Sequence, residues 1–134
     1  VGEDALERLA GFCHNMGKGY CQLAQYDRAL AAFRTALGYQ PEKRITAMGI
    51  IGSTYALGDF DEATAVAKVF ADLWPRDREI LYWAARSLRN AGRTKEAAGM
   101  ANRAAAIGPT VDLLLLQADL LLESGDHRFL WRGH

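Results

Sequence analysis

Proline and cysteine are scarce here, with three and two residues among 134. No sign of charge dominates, since sixteen basic residues balance sixteen acidic ones. A neutral chain carries no global electrostatic footprint for nucleic acid or an anionic membrane surface, so neither is expected as a partner. Long apolar runs are missing as well. The greasiest segment, "VDLLLLQADLLL", is twelve residues long and holds Asp112, Gln117 and Asp119. A membrane span needs about twenty apolar residues, so no span is expected, and no run resembles a signal peptide. Cys13 and Cys21 stand eight residues apart. On one helix that separation is roughly 12 Å along the axis, whereas a disulfide needs Cα atoms within about 7 Å. Unpaired cysteines suit a reducing cytoplasm, which is the expected location.

Recognisable catalytic machinery is also missing. The sequence holds no phosphate loop, nucleophile elbow or HExxH motif. His14 and Cys21 can share a helix face, but two turns apart is too far for one zinc ion without further ligands. The "GIIGS" stretch contains GxxG, yet KH-type clamps place that motif in a loop, and here it falls within a predicted helix. Asp27, Asp61 and Glu62 fall at predicted helix starts, where negative charge favours the helix dipole. The expectation is a non-enzymatic protein with no metal and no cofactor.

What the chain does have is a repeat. Pro41, Pro75 and Pro109 are equally spaced, and Ala29, Ala63 and Ala97 keep the same step. Aligned on them, "AQYDRALAAFRTALGYQP" sits over "GDFDEATAVAKVFADLWP" and "GRTKEAAGMANRAAAIGP". A period of about 34 residues has room for one helix–turn–helix unit, so each period reads as a pair of helices. Helix A runs to about Leu23, Leu57 or Ala91, and a turn at Ala24, Gly58 or Gly92 follows. Helix B then carries apolar residues at three- and four-residue steps, as in Ala29, Leu30, Phe33, Ala36 and Leu37. Proline ends it and sets up the next first turn. The phased alanines are small because two helices cross closely there. Residues 3–9 extend the first helix, and residues 112–124 read as one further helix A.

These residues resemble the tetratricopeptide repeat family. Gly17, Tyr20, Ala29, Phe33, Ala36 and Pro41 carry nearly the whole signature in the first unit. Gly58, Phe60, Ala63 and Pro75 carry it in the second; Ala85, Gly92, Ala97, Ala104 and Pro109 carry it in the third. The second unit departs from the pattern, with Ile51 in the place of Gly17 and Thr54 in the place of Tyr20. The resemblance implies an all-α fold, a right-handed superhelix of antiparallel helix pairs. Over residues 1–134 it gives a single domain with repeats at about 10–43, 44–77 and 78–111.

The resemblance also implies a function. The family holds a segment of another protein in a concave groove lined by the A helices. Its groove-facing phases fall on His14, Lys18, Cys21 and Gln22, then on Met48, Gly49, Gly52 and Tyr55. In the third repeat they fall on Glu79, Tyr82, Trp83, Arg86 and Arg89, and in the last helix on Leu113, Leu116 and Leu120. Aromatics, methionine and arginine are the residue types that anchor interfaces. One branch of the family clamps the C-terminal carboxylate of heat-shock chaperones. Here Gly49, Glu79 and Trp83 stand where that branch wants polar or basic side chains, so carboxylate capture is not expected. The expected partner is a segment offering apolar and basic side chains. The layout also resembles the bacterial type III secretion chaperones, small cytoplasmic proteins of this repeat type. The alternative is a scaffold or regulatory segment of a larger multi-repeat protein.

Two features stay open at this level. Gly49 and Gly52 interrupt a helix, at roughly 1 kcal/mol each against alanine. Either they make a hollow in the groove wall, or they let a neighbouring helix approach. Leu113 to Leu116 and Leu120 to Leu122 put seven leucines on the last helix. Either Phe129, Leu130 and Trp131 fold back over the surplus, or it meets a second subunit in a homodimer, a partner or a further repeat.

Overall fold

The computed structural model describes residues 2–125, and these form seven α-helices and no strand. They are α1 (Glu3–Gln22), α2 (Tyr26–Tyr39), α3 (Arg44–Ala56), α4 (Phe60–Leu73), α5 (Arg78–Asn90), α6 (Thr94–Ile107) and α7 (Val111–Glu123). The helix-pair period is visible in the bounds. α2, α4 and α6 start at equal intervals, at Tyr26, Phe60 and Thr94. α1, α3 and α5 end at that same interval, at Gln22, Ala56 and Asn90. The expected stops at Leu23, Leu57 and Ala91 are the C-cap residues of those three helices. The chain divides into two compact units, Val1–Ala63 and Thr64–His134.

The turns between paired helices need one residue in the left-handed region. Ala24 (φ 57°), Gly58 (φ 78°) and Gly92 (φ 81°) supply it. The amide of the next residue then reaches back to close the helix end: Gln25 N donates to Tyr20 O at 2.9 Å, and Arg93 N donates to Leu88 O at 2.9 Å. Glycine takes this conformation freely, whereas an L side chain there costs about 1–2 kcal/mol. Ala24→Gly is therefore expected to stabilise the protein by about 0.5–1 kcal/mol after the extra entropy of the unfolded chain is counted. A melting temperature at or below that of the parent would show that the Ala24 turn is unstrained.

In the first unit α2 packs against both α1 and α3. Ala29 is fully buried and Phe33 is 2% exposed. The Phe33 ring lies over two glycines on different helices. A Cβ at Gly17 of α1 would stand 2.5 Å from the ring, and one at Gly49 of α3 would stand 2.8 Å from it. The ring has a seat only because both positions lack a side chain.

In the second unit α6 packs against α5 and α7, and α5 also touches α7. The core joins Ala85, Leu88, Ala97, Ala101, Leu116 and Leu120. Small residues on α6 let its neighbours close in, as the phased alanines implied. The caps differ in a way that matters. Asp77 caps α5 two residues after Pro75, accepting from the amides of Glu79 and Ile80; Thr110 caps α7 one residue after Pro109, accepting from that of Leu113. α7 thus starts at Val111, one position short of the interval that separates Arg44 of α3 from Arg78 of α5. One residue rotates a helix by about 100°.

Burial corrects the assignment of Leu113, Leu116 and Leu120 to a groove-facing phase. They are 1%, 4% and 2% exposed, and Leu116 and Leu120 belong to the core of the second unit. Asp112, Leu115 and Asp119 take the phase of Glu79, Tyr82 and Arg86, and all three are exposed. The outward surface of α7 carries Val111, Leu114, Leu115, Leu121 and Leu122. Phe129, Leu130 and Trp131, one expected cover for it, lie outside the described residues.

Candidate functional site

In the first unit the candidate residues sit on α1 and α3. His14 is half-buried, with Nδ1 at 3.1 Å from the Thr46 hydroxyl and its ring centroid 5.3 Å from that of Phe33. Burial, and secondarily the charge of Lys18, hold its pKa below the ordinary histidine value. A neutral ring in that position ties α1 to α3. Lys18 and Gln22 are exposed on α1. Cys21 Sγ lies 3.7 Å from Ser53 Oγ, and both Cys13 and Cys21 are free thiols. Met48 and Tyr55 are half-buried on α3, and Tyr55 meets the Phe60 ring nearly edge-on at 5.4 Å.

Gly49 and Gly52 part company. The space above Gly49 is filled from within by the Phe33 ring, so this glycine serves close packing and is not a hollow. At Gly52 an added Cβ would meet no heavy atom within 4 Å. Ala47, Ile50, Ile51 and Thr54 of the same helix point into the core, each at most 2% exposed. Gly52 lies between Met48 and Tyr55, one turn to either side.

In the second unit α5 presents a stack. The Arg86 guanidinium lies 4.5 Å from the Trp83 ring centroid and 5.7 Å from that of Tyr82. The two rings meet edge to face at 5.9 Å, and Tyr82 also packs on the core cluster. An arginine over aromatic faces gains about 0.5–2 kcal/mol and is held in one orientation. Glu79 is exposed in the first turn of α5. Arg89 is engaged by α7, at 3.6 Å from Asp119 and 3.2 Å from Glu123. Sequence reasoning missed both acids. Their spacing, one turn apart on a helix, was the available signal, and the one-residue shift of α7 hid it.

The second-unit face thus combines stacked rings and an oriented guanidinium with the Arg89–Asp119–Glu123 ion-pair cluster. Among the described residues no group of three or more His, Cys, Asp or Glu side chains is placed to hold a metal ion. No described helix is long and apolar enough to cross a membrane.

Comparisons with known proteins bear on this geometry. A family model described as tetratricopeptide repeat matches residues 14–69 and 53–112. Among curated proteins none matches. Several solved structures share the fold. The first tetratricopeptide domain of Spaghetti (RPAP3), described as bound to the HSP90 peptide SRMEEVD, superposes with a TM-score of 0.83 at 12% identity, covering 89% of this chain and 95% of that one. MamA from Desulfovibrio magneticus RS-1 gives 0.82 at 15% identity, covering 90% of this chain and 68% of that one. TTC0263 from Thermus thermophilus, described as a thermophilic tetratricopeptide repeat protein, gives 0.73 at 18% identity, covering 88% and 67%. At these identities the likeness is one of fold.

Proposed function

Since the chain belongs to the tetratricopeptide repeat family, we propose that it is a non-catalytic interaction module that holds a segment of another protein on its A-helix faces. The observation that carries this is the Arg86–Trp83–Tyr82 stack on α5. Aromatic and arginine side chains that stay partly exposed, and that are oriented before any ligand arrives, are the usual anchors of protein interfaces. The first-unit face adds Lys18, Met48, Gly52 and Tyr55. A fold neighbour described as bound to a peptide supports the same use of this architecture.

The segment we propose is apolar with basic side chains. Asp119 and Glu123 together outweigh the single charge of Arg89 that they engage. A carboxylate-rich peptide would meet repulsion there. Titration with SRMEEVD in a calorimeter is accordingly expected to give no binding tighter than about 1 mM. Micromolar binding would show instead that this surface captures acidic C-termini.

Cys13 and Cys21 as free thiols support a cytoplasmic protein. A small secretion-type chaperone is the narrower form of this reading. The exposed leucines of α7 favour a second reading, a scaffold or regulatory segment of a larger repeat protein in which a further helix covers them. The length of the complete reading frame separates the two.

A further inference from the structure

α1 carries an apolar seam that the first unit leaves partly exposed. Ala5, Leu9, Phe12, Met16, Gly19 and Leu23 follow one another at steps of four, three, four, three and four residues. Leu9, Phe12, Met16 and Leu23 are 43%, 65%, 39% and 66% exposed, and a Cβ at Gly19 would meet no heavy atom within 4 Å. This alternation of threes and fours is the pattern of a helix that packs against another helix along its length. It runs the whole length of α1, up to the C-cap at Leu23. The seam holds no charged residue and is distinct from the His14 and Lys18 face.

We propose that the seam is a self-association surface, on which two copies of this chain pair their α1 helices antiparallel about a two-fold axis. The sizes along the seam fit that arrangement. Antiparallel pairing centred near His14 sets Leu9 against Gly19 of the second copy, Leu23 against Ala5, and Phe12 against Met16. Each large side chain opposite a small one fills the gap that it leaves, and the two middle residues share the centre. A parallel pair would instead stack Phe12 on Phe12 and leave Ala5 on Ala5 and Gly19 on Gly19, bulging at the middle and hollow elsewhere. It would also bring the acidic first turns together, at Glu3, Asp4 and Glu7. The antiparallel pair keeps them at opposite ends. Along the outer flank it sets Arg8 beside Gln22 of the second copy, and Asn15 beside its equivalent, so no like charges meet. An isologous contact of this kind closes on itself as a dimer.

The leucine surface of α7 is a poorer candidate for self-pairing. α7 carries Asp112, Asp119 and Glu123 and no basic residue, so two such helices side by side would bring like charges together.

Sedimentation of this chain across micromolar concentrations tests the proposal. A monomer–dimer equilibrium is expected, and Phe12→Glu should abolish it with helix content unchanged, because Phe12 is exposed. Should Phe12→Glu fail to fold, Gly19→Leu serves in its place. Among the described residues no heavy atom lies within 4 Å of an added Cβ at Gly19, but Leu9 of the second copy would oppose a leucine there; dimerisation should weaken about tenfold or more while the fold is kept. A chain that is monomeric throughout overturns the proposal. So does a dimer that survives these variants, or one that Leu115→Glu on α7 dissolves and Phe12→Glu does not.

Discussion

Phe33→Ala is expected to cost about 3–5 kcal/mol, out of a total stability of roughly 5–15 kcal/mol for a domain. The range belongs to buried aromatics in general, and the surroundings of Phe33 place it at the upper end. The cost of such a truncation depends on how well neighbours can collapse into the void. Here the neighbours on two sides are Gly17 and Gly49, which have no side chains to move inward. The His14 ring, tilted at 53° against Phe33, would lose its packing partner too. Denaturant melts should show a much lower midpoint, and a loss under about 1 kcal/mol would contradict the seat described above.

The same seat makes two glycines three residues apart on α3 respond in opposite directions. Both gain up to about 1 kcal/mol of helix propensity on conversion to alanine. At Gly52 nothing opposes the methyl group, so Gly52→Ala should stabilise. At Gly49 the methyl would press on Phe33, which cannot retreat because its other side lies against Gly17. Overpacking of this kind costs about 1–3 kcal/mol, so Gly49→Ala should destabilise on balance. Equal effects from the two alanines would refute the distinction.

The largest expected effect on binding belongs to Gly52→Leu. The site between Met48 and Tyr55 is open, so leucine should be accepted with a melting temperature at or above the parent value. Under the proposed function, the same side chain would fill the place where a partner group settles. Affinity should fall about tenfold or more, the equivalent of a moderate overpacking penalty. Arg86→Ala should weaken binding through the other unit by removing the oriented guanidinium from the Trp83 and Tyr82 rings.

Much of the architecture is legible in the sequence. The steps of Pro41, Pro75 and Pro109 and of Ala29, Ala63 and Ala97 report helix pairs because both residue types act locally, proline by ending helices and alanine by allowing close crossings. The extension of the first helix over residues 3–9 was also expected, and α1 does begin at Glu3. The phase of α7 was not legible from proline spacing, because the N-cap sets where a helix starts, and Thr110 stands one residue closer to its proline than Asp77 does. That single residue brought Asp119 to the exposed face, whereas Leu116 lies in the core of the second unit and not in the expected groove. Gly49 and Gly52 could not be told apart from sequence because the difference between them is a ring on another helix. The engagement of Arg89 by Asp119 and Glu123 likewise depends on how α5 and α7 meet.

The central claim is that the exposed A-helix residues hold a segment of another protein. Affinity capture from the native cell, run in parallel with the parent chain, Gly52→Leu and Arg86→Ala and quantified by mass spectrometry, tests it most directly. The account predicts a protein enriched by the parent and depleted about tenfold or more by each variant, all three baits melting alike. A captured set that is the same for all three baits would contradict it.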